Sequence, residues 1–208
     1  MAYTRNELQD FLKFVDKYRC SRIRQFLVAH VWDDRFEFHP AELIQLSCKH
    51  KLEKPFRWSF KKLLEMLLTD INGSHRALMG NDLFITLVYA KAILDNHCRL
   101  VAAEEPPIQT HVDECRNPRE CAEDWHAAWW NGMGRFLLDG RNPQSFDDAV
   151  RRFREMRFGR MSTGCQNHML HIVERCDSFQ YTDKFIDDIC QGLVNDLEIR
   201  DDSETWLD

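Results

Sequence analysis

The sequence predicts an all-α protein, an irregular multi-helix bundle of about eight to ten helices in two packed halves. Apolar residues recur at helical spacing in one segment after another. Residues suited to helix starts stand in front of several of these segments. No stretch alternates apolar and polar residues for long enough to argue for a strand.

The first pattern runs from Asn6 to His30 through Leu8, Phe11, Leu12 and Val15, then Ile23, Phe26 and Leu27, with a break near Arg19 to Ser21. Thr4 followed by Glu7 fits a capping box at its start. His39-Pro40 opens the next helix, because proline is preorganised for a first turn. Its apolar positions are Leu43, Ile44, Leu46 and Cys48. Pro55 starts another through Phe56, Phe60, Leu63, Leu64, Leu67 and Leu68, and Asn72-Gly73 marks a turn. Asp82 to Leu100 carries Leu83, Leu87, Ala90 and Leu94 along one side.

Glu104-Glu105-Pro106-Pro107 is the clearest boundary, since two prolines cannot continue a helix. It separates an N-terminal helical half, 1–103, from a Cys- and Trp-rich half, 111–200. In the second half a helix begins around Pro118 and carries Trp125, Ala128, Trp129 and Met133. Gly132 and Gly134 weaken its middle and point to a bend or a close approach by another backbone. Arg141-Asn142-Pro143 reads as a turn, and Ser145 as the cap of a helix from Phe146 to Met156. Further helices are expected from Thr163 to Cys176 and from Thr182 to about Leu197, followed by an acidic tail.

With 44 % hydrophobic and 12 % aromatic residues, the 208-residue chain belongs to the globular class. Its net charge of -6 argues against bulk nucleic-acid or polybasic membrane binding. No apolar run approaches the roughly 20 residues of a membrane span, and the N-terminus lacks the apolar core of a signal peptide. These features lead us to expect an intracellular protein, cytoplasmic or nuclear. Its eight cysteines are then core residues or metal ligands, because a reducing compartment disfavours disulfides. Cys20, Cys48, Cys98 and Cys190 sit singly in apolar patterns and read as core.

Cys115, Cys121, Cys165 and His168 are the expected ligands of one structural zinc, which takes four tetrahedral thiolate and imidazole donors. Cys165 and His168, at i and i+3, share one face of a helix turn. His171 is the first substitute and His126 a spare. The alternatives are reduced core thiols with surface histidines, or a disulfide. Trp125, Trp129 and Trp130 read as core, with a partner-binding face as the other option.

Two further clusters suggest other classes. Asp33-Asp34-x-x-Glu37 resembles the magnesium motif of terpene cyclases and would make the protein a small Mg-dependent enzyme. A solvated loop is the plainer reading. Lys49, Lys51, Lys54, Arg57, Lys61 and Lys62 interleave with Phe56, Trp58 and Phe60, as in some nucleic-acid-binding faces. On a helix the same pattern gives buried rings and solvated lysines.

The runs L-x-x-F-L-K-F-V-D-K-Y-R-C-x-x-I-R (Leu8 to Arg24) and F-H-P-A-E-L-I-Q-L-S-C-K-H (Phe38 to His50) resemble the closing part of BTB/POZ-type proteins of mushroom-forming fungi. Cys115, Cys121, Trp125, Trp129, Trp130 and Cys165 resemble the C-terminal region of the same family. The resemblance implies a helical hairpin of the kind that follows a dimerising BTB core. The sequence departs from it in having no strand segment before Leu8, and in carrying His168 where a second cysteine would stand. The reading that combines these observations is a non-catalytic intracellular adaptor that binds a protein partner and is stabilised by structural zinc.

Overall fold

The computed structural model describes residues 5–142, 144, 146–175 and 177–199, and among these the chain is helical with no strand. It contains ten helices of seven or more residues among the described residues. The all-α expectation holds. Thr4, Pro143, Ser145, Cys176 and the acidic tail beyond residue 199 lie outside the described residues.

Two compact units form: residues 1–90 with 186–208, and residues 91–185. The expected boundary at Glu104 to Pro107 therefore lies inside the second unit. Helices α1 (Arg5–Tyr18), α2 (Ser21–Asp33), α3 (Pro40–His50), α4 (Glu53–Glu65) and α5 (Gly73–Met79) belong to the first. Helices α6 (Asn81–Ala103), α7 (Pro118–Trp129), α8 (Arg135–Leu138), α9 (Phe146–Arg154), α10 (Thr163–Arg175) and α11 (Asp177–Asp196) follow. The division between units falls within α6 and α11. No single described helix is long and apolar enough to cross a membrane.

In the first unit, Leu8, Leu12 and Val15 of α1 pack with Leu27 and Val31 of α2 and with Leu43 and Leu46 of α3. The break between α1 and α2 is Arg19, whose φ of 52° stops the helix. A buried polar network ties the first three helices. Arg24 donates to the His50 carbonyl at 2.9 Å, and Asp16 meets the His50 Nδ1 at 2.7 Å. Lys51, in the left-handed region after α3, donates from Nζ to the Leu197 carbonyl at 2.7 Å.

The helix start at His39-Pro40 is a capping box. The Ala41 N–H donates to His39 Nδ1 at 3.2 Å, and the His39 N–H donates to Glu42 Oε2 at 3.4 Å. The His39 ring stacks on His75 at 3.6 Å between centroids. Burial first, then the neighbouring His75, lower the pKa of His39, with Glu42 opposing. A proton on Nδ1 also removes the cap acceptor. Because the folded-state pKa lies below the ordinary value of about 6.5, this contribution is complete above 6.5 and is lost as pH falls from there through the lowered folded-state value. His39→Asn keeps a capping oxygen and abolishes the titration. Urea unfolding at pH 7 and pH 5 should show a loss of about 1 kcal/mol on acidification that the variant lacks.

The core of the second unit is aromatic. Trp125, Trp129, Phe153 and Phe158 are buried against one another, with ring centroids 5.0–5.9 Å apart. Trp130 is 44 % exposed, so the three tryptophans do not form one buried face. Between α7 and α8 the residues Trp130–Gly134 make a π-helical turn, which is the irregularity expected at Gly132 and Gly134. Side chains, not a second backbone, approach Gly132.

Candidate metal centre

Residues 104–110 after α6 are without secondary structure, as their two prolines require. The core tryptophans hold the last turn of α6 and the start of this linker. Trp129 Nε1 donates to the Ala102 carbonyl at 3.0 Å and Trp125 Nε1 to the Pro106 carbonyl at 2.9 Å. Five residues beyond Pro106 the chain turns, with the Cys115 N–H donating to the Val112 carbonyl at 2.9 Å. That turn brings His111 beside Cys115. Asn117 then caps α7, with Pro118 in its first turn, and Cys121 lies one turn in.

Across the unit core, Ser162 opens α10 by accepting the Cys165 N–H on its hydroxyl at 3.3 Å. Cys165 is thus fixed in the first turn of α10, facing inward and buried. His111, Cys115, Cys121 and Cys165 each present one ligand atom, and all four atoms lie within 4.8 Å of one another. His111 Nδ1 is 3.5 Å from Cys115 Sγ and 3.5 Å from Cys165 Sγ. Tetrahedral bonds of about 2.3 Å to sulfur and about 2.0 Å to nitrogen would set such neighbours roughly 3.6 Å apart. The cluster has zinc-site dimensions.

Its electrostatics are uneven. Burial pushes the Cys121 thiol up to about 11. Burial also opposes ionisation of Cys165, yet hydrogen bonds from Ser162, Val112 N–H, His111 and Cys115 together hold its thiol down to about 6. Cys165 therefore gives up its proton more readily than Cys121, and a thiolate is the form that binds metal. Three thiolates and one imidazole would close all four positions. A closed site stabilises a fold and leaves no place for a substrate.

Three of the four expected ligands come together here, and the fourth is His111 in place of His168. His168 and His171 are exposed on α10, whereas Cys165 points into the core. A ligand at i+3 shares a face with Cys165, but it stands one turn farther along the helix, away from the loop that brings the other donors. His126 is also exposed and pairs with the Glu105 carboxylate. The signal for His111 was the H-x3-C spacing with Cys115, which a single chain turn can close onto one ion.

Among the described residues no second set of three or more His, Cys, Asp or Glu ligands gathers. Asp33 is exposed and Asp34 pairs with His30 at 3.1 Å, so these two and Glu37 form no magnesium cluster. On the basic face Phe56 and Phe60 are fully buried. Arg57, Lys61 and Lys62 are paired with Glu53, Asp187 and Glu65 at 2.6–2.8 Å. Cys20, Cys48 and Cys98 are half-buried, and Cys190 alone of the four expected core thiols is fully buried.

Gly164 is where α10 meets the ligand loop. A Cβ at this position would stand 2.8 Å from Val112 Cγ2. Gly164→Ala should displace Val112 and, through the 111–115 turn, weaken zinc affinity by about tenfold, as for other residues that position ligands. Competition with a chromogenic chelator measures it.

Comparison of the chain with family models, curated proteins and solved structures finds no match.

Proposed function

We propose that this protein is a non-catalytic intracellular adaptor whose residues 91–185 are stapled by one structural zinc, and that it works by binding a protein partner. The observation that carries the metal assignment is the convergence of His111, Cys115, Cys121 and Cys165 within 4.8 Å. Thiolate-rich sets favour zinc over hard cations such as magnesium. A reducing compartment would keep these thiols available for metal.

The partner role rests on exposed apolar side chains. Phe11, Phe14 and Tyr18 of α1 and Ile23 and Phe26 of α2 are each about half exposed or more. Aromatic residues are enriched in protein-protein interfaces. The ion pairs on the basic face leave fewer cations free for phosphate, which favours a protein partner over nucleic acid.

Elemental analysis of protein purified without added metal should give one zinc per chain, and Cys121→Ser should give none. Well under one zinc in the wild-type protein overturns the metal assignment. Affinity capture with wild type and with Phe14→Asp tests the partner role separately. A specific protein partner lost in Phe14→Asp supports it, and identical captures oppose it.

A further inference from the structure

We propose that the zinc centre is a redox switch, in which a peroxide joins Cys115 to one of the helical cysteines and expels the metal. The inference rests on the zinc reading above and adds regulation to it.

The geometry distinguishes the three sulfurs. Cys121 and Cys165 are buried, and each is fixed in a helix that packs into the aromatic core. Cys115 is half-buried and lies on the non-helical segment between α6 and α7, beside the half-buried His111. It is the most accessible of the three thiols and the one that lies outside a helix, although it touches the edge of the core. All three sulfurs already lie within 4.8 Å. A bond of about 2.05 Å therefore needs a movement of roughly 2–3 Å, which a loop can make without repacking the core. Cys20, Cys48, Cys98 and Cys190 belong to no such group.

The step balances. One thiolate attacks a peroxide oxygen, the O–O bond breaks, and the sulfur becomes a sulfenic acid as hydroxide leaves and is protonated to water. The second thiolate attacks that sulfur, the S–S bond forms, and the sulfenic oxygen leaves as a second water after protonation. Two thiolates are oxidised by two electrons and one hydrogen peroxide is reduced, with two protons consumed. Two of the four zinc donors are then lost, and His111 with one cysteine cannot hold the ion against competing ligands. Metal loss releases His111, while the new disulfide holds Cys115 and the tryptophan bonds to Ala102 and Pro106 keep the base of the segment in place.

The test uses the full chain, its zinc content first measured as purified. Hydrogen peroxide is added beside a chromogenic zinc indicator, and the products are mapped by non-reducing peptide mass analysis. The expected result is release of one zinc with loss of two thiols, a disulfide containing Cys115, and rebinding after dithiothreitol and zinc. Cys115→His keeps four donors and removes the mobile sulfur, so its zinc release should be slower by about tenfold or more. Zinc retained while peroxide is consumed, or a bond joining only Cys121 and Cys165, overturns the switch and leaves the zinc reading standing. Protein with no zinc before peroxide overturns both. Should Cys115→His fail to fold, the disulfide map of the wild type still decides.

Discussion

Removing the proposed zinc should lower the stability of residues 91–185 by about 4 kcal/mol when the free metal beforehand is 1,000 times its dissociation constant, because ligand binding adds to folding free energy. Most of the loss should fall on the ligand loop. Residues 105–116 lie outside the helices, and they are held by the Trp125 indole N–H at Pro106, by Ile108 and Val112 against the core, and by His111 and Cys115 of the cluster. Helices α7, α9 and α10 share the aromatic core and need not unfold with the loop. Chelation followed by circular dichroism and amide exchange should therefore show near-native helicity with rapid exchange confined to the loop and the first turns of α7 and α10.

Substitutions sharpen the expectation. Cys165→Ser preserves volume but not metal affinity, so it should match the chelated wild type and respond no further to chelator. His111→Ala should do the same. His168→Ala should change neither zinc content nor stability, because His168 is exposed and outside the ligand set. Equal effects of His168→Ala and His111→Ala would argue against the geometry described here.

The sequence pattern located elements more reliably than it located partners. His39-Pro40 and Asn117-Pro118 mark helix starts because a proline beside a capping residue acts within a few residues of chain. Helix α5 escaped the pattern, since Asn72-Gly73 reads as a turn while Asn72 in fact caps a seven-residue helix. Cys115, Cys121 and Cys165 stood out by chemistry. His111 did not, because its place depends on the Val112–Cys115 turn and on the linker's anchorage to Trp125. The grouping of residues 186–208 with 1–90 was also hidden. It is expressed in contacts such as Lys61 to Asp187 and Lys51 to Leu197, which periodicity cannot report.

Gly132→Ala should destabilise the second unit by about 2–3 kcal/mol although the same exchange in most helices is stabilising. An alanine Cβ at 132 would stand 2.5 Å from Met156 Sδ and 2.7 Å from Phe153 Cδ2. Met156 can swing aside, since its thioether chain is flexible and it lies only partly buried beside the core. Phe153 cannot, being fully buried and edge-on to Trp125, Trp129 and Phe158. Gly134 provides the internal comparison in the same π-helical turn. Its nearest neighbour would be the Trp129 carbonyl at 3.5 Å, ordinary contact distance. There the gain in helix propensity, up to about 1 kcal/mol, meets no clash, so Gly134→Ala should be neutral or stabilising. Opposite signs at positions two residues apart, read from thermal or urea unfolding, would establish that side-chain packing against Phe153 selects the glycine at 132. Destabilisation at both would show instead that the π-turn backbone itself demands glycine.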